Sequence, residues 1–397
     1  MAAVGALLAG YSSVCLLDNI VCMACSRSFP HDKAAVVGYL KAMVGTSGGV
    51  WALLWKTLFR QADGSGLPQF LALAAAASLV TTALALAPME ELPRGIAQHR
   101  FGVEEKRRYA ALFVAMVALS LFNVVISYLL SGGGVEPRPS VGYTDLGLLV
   151  LPLLVLLLPP PTIDEGELDK SPSATPSPSV EKVGVRFWVA ACRLDFWLLL
   201  FIQYVVFGSG VATNQNLALI FESISSPEFA GLGVSLFAFT SAASRMVVGM
   251  LSDQYGASFT RFNWMQVVTA CGICSQALVS SMSIGASMVG VLFAGISFGA
   301  FYTVIVPIVN EMYGEKEFGL IMGTQLVSQA VASLSIDKVL LSFFYERAAK
   351  DAAVCSGPAC FRPSFVVLAA LSILAFFASC LLERRNRMSL PVDYLAG

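Results

Sequence analysis

The chain has 397 residues, of which 56% are hydrophobic and 13% charged, and its mean hydropathy is +0.73. Because soluble proteins carry about a quarter charged residues, this composition excludes an ordinary water-soluble protein and indicates a chain that crosses the lipid bilayer. The net charge of −1 and the lack of a basic stripe give no sign of nucleic-acid binding. Since His31 and His99 lie far apart in the sequence, we expect neither a metal site nor a cofactor.

Apolar runs long enough to cross a bilayer recur along the whole chain. The first group lies at residues 3–25, 34–59, 68–87, 109–130 and 146–159. The second group lies at residues 196–220, 229–251, 264–282, 287–310, 320–341 and 364–382. The pattern predicts an all-α polytopic membrane protein with about 11 transmembrane helices.

A Pro- and Ser-rich segment separates the two groups, and its composition is typical of a disordered linker. The predicted division is an N-terminal part, a charged loop with two extra helices, the linker, a six-helix part and a tail, at residues 1–88, 89–161, 162–195, 196–383 and 384–397. Lys and Arg concentrate in the loop at 89–108 and in the tail. Placing this loop in the cytoplasm also places the linker, the 252–263 turn and the tail there. The membrane is expected to be either the plasma membrane or an endomembrane.

The turn near residue 253 carries a recognisable spacing of polar residues. Gly249, Asp253, Gly256 and Arg261 follow the pattern G-x-L-x-D-x-x-G-x-x-x-x-R, with Arg245 just upstream. This resembles the signature loop of the major facilitator superfamily of transporters. By that resemblance these five residues act as a conformational switch, in which Asp253 meets a helix end or a basic residue in one state of the carrier. The alternative is an ordinary solvated turn.

Further motifs narrow the resemblance to the nodulin-like branch of that superfamily. Phe29-Pro30, Lys33 and the stretch 38–48 occur in the order typical of this branch, as do GISFGAFYTVIVPIVNEMYG at 295–314 and the paired-cysteine loop at 355–365. The resemblance implies a partial major facilitator fold. It places the Phe-Pro stretch after the fourth family helix, so the first three helices are expected to be missing here.

Polar residues inside predicted spans are costly in lipid and therefore mark candidate sites. Lys41 lies in the second span, and Asp18 and Asn19 lie in the first. One interpretation is an Asp18–Lys41 ion pair, either structural or part of a proton-coupled site. The alternative is that Lys41, about two turns from the cytoplasmic loop, extends its ammonium to the membrane surface.

The spans after the linker hold further cavity candidates. These are Gln203, Asn214, Tyr302, Asn310, Gln325 and Gln329. By the resemblance, the helix of Tyr302 and Asn310 borders the central cavity. Gln325 and Gln329 share a helix face, where they bind either a solute or a neighbouring helix. Asn214 lines a pore or lies at a hydrated helix end.

Two cysteines flank a short polar loop, whereas the other seven fall in apolar runs or near their ends. Cys355 and Cys360 are expected to form a short-loop disulfide if this loop faces an oxidising compartment. Of the sequence motifs that mark enzymes, no HExxH or P-loop occurs, so the chain is not expected to be an enzyme.

The resemblance implies secondary transport of a small solute by alternating access, with protons as candidate coupling ions. The expected partners are therefore the lipid bilayer and a small solute. The rival hypothesis is a non-transporting, transporter-like membrane protein that acts as a scaffold or partner subunit. If three helices are truly missing, a second chain would be needed to close the pathway.

Overall fold

The computed structural model describes residues 32–59, 66–86, 103–131, 139–156, 185–256, 258–314, 317–349 and 355–389, and within these ranges the chain is helical without a β-strand. The helices before the linker are α1 (Lys33–Leu54, continued by a π-helical turn Trp55–Phe59), α2 (Leu67–Leu86), α3 (Val103–Ser131) and α4 (Pro139–Leu156). We refer to these four as the N-terminal group.

The helices after the linker form the C-terminal group. They are α5 (Phe187–Ala191), α6 (Leu194–Gln215), α7 (Leu217–Ser223), α8 (Ala230–Gln254), α9 (Arg261–Ser280), α10 (Ile284–Tyr313), α11 (Phe318–Ala332, continued by a π-helical segment Ser333–Leu341), α12 (Ser342–Ala349) and α13 (Arg362–Ser389). Local sequence sets several of these boundaries. The hydroxyl of Thr260 accepts from the Asn263 N–H at 3.3 Å and so caps α9, and Gly314, at φ 74°, ends α10.

The predicted all-α polytopic membrane fold is confirmed. Ten of the eleven predicted spans correspond to described helices, and the first, at residues 3–25, lies outside the described residues. Six described segments are long and apolar enough to cross a membrane, the longest being Phe318–Ala349. Their outer faces carry exposed apolar side chains such as Val114, Val327 and Leu334, as expected for surfaces that meet lipid.

The helix ends fall at two opposite ends of the bundle. At the first, which we call the Asp253 end, Asp253 contacts the start of α1, and the Val185 N–H donates to the Tyr313 carbonyl at 3.0 Å. At the second, the disulfide end, the Gly357 N–H donates to the Ser223 carbonyl at 2.8 Å. Successive long helices therefore run in opposite directions between the two ends.

Helix α1 connects the N-terminal group to the C-terminal group by packing closely along α8. A Cβ added to Gly38 would lie 2.4 Å from the Arg245 carbonyl oxygen, and one added to Gly249 would lie 2.6 Å from that of Ala34. Only glycine leaves room for backbones at this separation, as in close helix crossings within membranes. The hydroxyl of Thr303 on α10 donates to the Arg245 carbonyl at 3.2 Å and joins the third helix of this contact.

Several helix boundaries differ from the predictions, and two of the differences place an aspartate inside a helix. Helix α8 was predicted to end at residue 251 but continues through Gln254, so Asp253 is helical rather than in a turn. Helix α4 begins at Pro139 instead of residue 146, which places Asp145 inside a helix. The carboxylate of Asp145 is buried and accepts a hydrogen bond from the Asn123 amide at 2.9 Å, and this partner allows a charged residue within the helix pair.

Candidate functional site

Two buried cations from different groups of helices lie beside one aromatic ring. The ammonium of Lys41 on α1 is 5.2 Å from the ring centroid of Tyr302 on α10, and the guanidinium of Arg245 on α8 is 5.1 Å from the same centroid. Lys41 is 5% exposed and Arg245 2%. Arg245 also donates to the Lys41 carbonyl oxygen. We call Lys41, Arg245 and Tyr302 the cation pair and its ring.

The charges of this pair influence each other strongly. Since both cations lie near one centroid, at most about 10 Å separates them, and like charges at this distance repel by roughly 1.7 kcal/mol at an effective dielectric constant of about 20. The Tyr302 ring, together with Phe298 at 5.7 Å from the Arg245 guanidinium, offsets this by about 0.5–2 kcal/mol per cation. Two buried cations beside one ring thus form a place where a negative group can bind.

Buried glutamines extend the polar region from the ring into α11 and α6. The Tyr302 hydroxyl donates to Gln329 Oε1 at 3.1 Å, and Gln325 lies one helical turn away on the same face. The Gln203 amide on α6 donates to the Gln325 carbonyl at 2.9 Å. Both side-chain polar atoms of Gln325, which is fully buried, make no hydrogen bond within the described ranges.

These residues lie at similar depth although they come from five helices. At 1.5 Å per residue, Lys41 is about 12 Å from the start of α1, Arg245 about 13 Å from the end of α8 and Tyr302 about 16 Å from the end of α10. Gln203 and Gln329 lie about 13 and 16 Å from the starts of their helices. All five distances run from the Asp253 end, so the polar region lies near the middle of a bilayer core about 30 Å thick.

The structure changes the interpretation of Arg245. The resemblance grouped it with the switch loop, although the predicted span 229–251 already contained it. In the structure Arg245 lies inside α8, about two and a half turns from the end of that helix, within the cation pair. Lys41, Gln203, Tyr302, Gln325 and Gln329, all predicted cavity residues, are brought together here.

Asp253 and Arg261 form the main polar contact between the two groups at the Asp253 end. One Asp253 carboxylate oxygen accepts from the Ala35 N–H in the first turn of α1 at 2.9 Å, and the other accepts from Arg261 at 2.8 Å. Arg261 also pairs with Glu311 at the end of α10. Gly256 is exposed, and it lies beyond the end of α8. A single carboxylate thus caps a helix of the N-terminal group and is held by a cation of the C-terminal group.

Other predicted residues do not join the polar region. Asn310 is about two turns of α10 from Tyr302. Asn214 is half-buried near the disulfide end and has no side-chain hydrogen bond within the described ranges. Asp18 and Asn19 lie outside the described residues. Cys355 and Cys360 are joined by a disulfide at the disulfide end.

Asp337 is a buried carboxylate that the sequence analysis missed. Its side chain is fully buried in the π-helical part of α11, accepts from the Asn216 amide at 2.6 Å and lies 2.8 Å from the exposed ammonium of Lys338. A signal was present, because an Asp-Lys pair stood inside the predicted span 320–341. Within the described ranges no group of three or more His, Cys, Asp or Glu side chains could hold a metal ion.

Comparison with known proteins defines the class. The model of the Major Facilitator Superfamily matches residues 196–393, and the model of the Nodulin-like family matches residues 2–160. The helical fold and these matches show a membrane protein of the major facilitator superfamily. More particularly, the chain belongs to its nodulin-like branch, as the sequence motifs predicted.

The chain is similar to yeast proteins named "Probable transporter MCH1". The relative from Saccharomyces cerevisiae is 24% identical over 179 residues, which cover 42% of this chain and 37% of the relative. The relative from Yarrowia lipolytica is 28% identical over 187 residues, covering 43% and 38%, respectively. The chain therefore spans less than two fifths of the length of these curated relatives.

Proposed function

We propose that the protein is a secondary transporter that moves a small solute by alternating access. The solute would bind at the cation pair and the adjacent glutamines, between the two groups of helices. The observation that carries this proposal is the junction of Lys41 from the N-terminal group with Arg245 and Tyr302 from the C-terminal group at mid-membrane depth. A site shared by two parts of a carrier can open to either side when the parts rock.

The Asp253 contact supplies a reversible closure for this cycle. In the present arrangement the two groups touch at the Asp253 end through Ala35, Asp253 and Arg261. Hydrogen bonds to charged groups contribute about 1.5–3 kcal/mol, which is enough to shift a two-state equilibrium by about tenfold or more. The state open at this end would lack these bonds.

The proposed orientation places the Asp253 end and the C-terminus in the cytoplasm. Two independent features support it. Lys and Arg concentrate in the loops and tail at this end, and the disulfide lies at the opposite end, where an oxidising compartment would maintain it. Proton coupling through Asp18 stays part of the proposal, to be tested by the Asp18→Asn variant, which is expected to transport without dependence on a pH gradient.

A transport assay that does not assume the solute tests the proposal. The purified full chain in proteoliposomes is exposed to a defined mixture of small metabolites, and mass spectrometry measures what enters. We expect at least one solute to enter in a saturable, protein-dependent manner, and Asp253→Asn to lower its initial rate by about tenfold or more, since the carboxylate bonds are lost.

The matched control is Asp195→Asn. Asp195 on α6 pairs with Arg385 on α13 at the same end, but both residues belong to the C-terminal group. This variant should therefore keep the wild-type rate. Entry of no solute above that of protein-free liposomes would contradict the proposed transport and favour the scaffold hypothesis.

A further inference from the structure

We propose that the solute is a small anion, either a carboxylate or an inorganic oxyanion, which binds beside the cation pair. This inference rests on the proposed function, because it names the class of solute for the same site. Lys41 and Arg245 are both buried and both lie within 5.2 Å of the Tyr302 ring centroid. Two buried cations this close disfavour a cationic solute and attract an anionic one.

The charge balance around the pair supports an anion even with the predicted Asp18 contact. Asp18 is the only acidic residue in residues 1–31, and the predicted spans 34–59 and 68–87 contain none. If Asp18 pairs with Lys41, the guanidinium of Arg245 is a second buried cation at the same ring, and an anionic solute can bind to it.

The buried carboxylates of the described ranges belong to other contacts. Asp145 accepts from Asn123, and Asp337 accepts from Asn216. Asn123 lies towards the end of α3 and Asn216 just after α6, so both contacts lie nearer the disulfide end than the cation pair does. These carboxylates do not lie at the Tyr302 ring.

The adjacent glutamines supply hydrogen-bond donors for an anion. Because Gln329 Oε1 accepts from the Tyr302 hydroxyl, its Nε2 is left as a donor, and this atom is buried without a hydrogen bond in the described part of the chain. The Nε2 of Gln325, one helical turn away, is also buried without a hydrogen bond in the described ranges. Burying an amide donor without a partner is costly, and an oxygen-rich anion would supply the partner.

Thermal unfolding of the wild-type full chain in lipid nanodiscs tests this inference. The probes are sodium salts of acetate, lactate, succinate, citrate, phosphate and sulfate, each at constant ionic strength. The controls are acetamide, lactamide and succinamide, which match three of the anions in shape but carry no charge. We expect at least one anion to raise the midpoint temperature in a saturable manner, and no amide to do so.

Charge variants locate the binding. Lys41→Gln and Arg245→Gln should each weaken the apparent affinity for that anion at least tenfold, whereas Lys41→Arg should retain most of it. Arg347→Gln makes the same change on an exposed arginine near the disulfide end and should have no effect. The comparison of anions with amides needs no variant, so it remains decisive if a variant fails to fold.

Each outcome bears on a different statement. The inference that the solute is an anion is overturned if an amide stabilises the protein as strongly as the matching anion does. It is also overturned if none of the anions stabilises the protein. Loss of binding in Arg347→Gln as large as in Lys41→Gln overturns the location. If only a neutral solute enters in a saturable manner in the proteoliposome assay, the protein is a transporter but its solute is not an anion. If no solute enters, the proposed transport itself is contradicted.

Discussion

At the scale of single residues, the contact between Asn216 and Asp337 shows how a carboxylate is accommodated inside the helix bundle. Asp337 is fully buried, and the amide of Asn216 donates to it at 2.6 Å from the end of α6. Lys338, which is mostly exposed, places its ammonium 2.8 Å from the other oxygen. The buried charge is therefore held by one amide and one cation at the disulfide end.

We expect Asn216→Ala to lower the stability by roughly 1–3 kcal/mol, because one oxygen of a buried carboxylate then loses its donor. Asn214→Ala is the control, since Asn214 is half-buried two positions earlier and has no side-chain hydrogen bond in the described ranges. Its effect should stay within about 0.5 kcal/mol. Thermal unfolding in detergent measures both, and equal losses would mean that the hydrogen bond to Asp337 contributes little.

Single polar residues in apolar runs indicated several members of the polar region, but the sequence did not indicate which residues contact each other. Lys41, Tyr302 and Gln329 stood out in the sequence because lipid makes such residues costly. The motif grouped Arg245 with the switch loop, so the sequence did not connect it with Lys41. Asp337 was missed although it lay with Lys338 inside the predicted span 320–341.

At the scale of the elements, the crossing of α1 and α8 brings the two groups together. Gly38 and Gly249 face the backbone of the opposite helix, so side chains there would separate α1 from α8. The Thr303 side chain on α10 lies 3.2 Å from the Cβ position of each glycine and closes the crossing on its third side. The Asp253 contact with Ala35 and the cation pair both depend on this close approach.

Gly38→Ala and Gly249→Ala are each expected to lower the stability by about 1–3 kcal/mol, because the new methyl group meets a backbone carbonyl. Gly231→Ala is the control on α8, since Gly231 is exposed and a Cβ there meets nothing within 4 Å. That variant should lose no stability. Thermal midpoints in detergent compare the three, and an unchanged Gly38→Ala would argue against the close crossing.

Helix boundaries were the least predictable feature of the elements. Hydropathy placed the end of one span at residue 251 and the start of another at residue 146, because polar residues lie just beyond these points. The helices continue past these points because Asp253 and Asp145 each find a partner from another helix. Such tertiary partners are invisible to a reading of local composition.

At the scale of the whole molecule, the fold and family follow from composition and motifs, whereas the junction of the groups does not. Hydropathy predicted the helices, and the motifs at 29–48, 249–261 and 355–365 predicted the family. Neither indicates that Lys41 meets Arg245, since 204 residues separate them. In the present arrangement the two groups are in contact at the Asp253 end. We propose that this end opens to expose the polar region.

Cysteine accessibility shows whether this end opens. Gln329→Cys is introduced into a chain whose cysteines other than Cys355 and Cys360 are replaced by alanine. In oriented vesicles, a membrane-impermeant thiol reagent is then applied from either face. The parent chain, which retains only Cys355 and Cys360, is reduced and labelled in the same vesicles. The face from which these two cysteines react is the disulfide face.

We predict that Gln329→Cys reacts from both faces, and that adding Asp253→Asn speeds its labelling from the Asp253 face. Val327→Cys, exposed on the same helix towards lipid, should react from neither face. Labelling of Gln329→Cys from one face alone, at a rate that Asp253→Asn leaves unchanged, would contradict alternating access at this site.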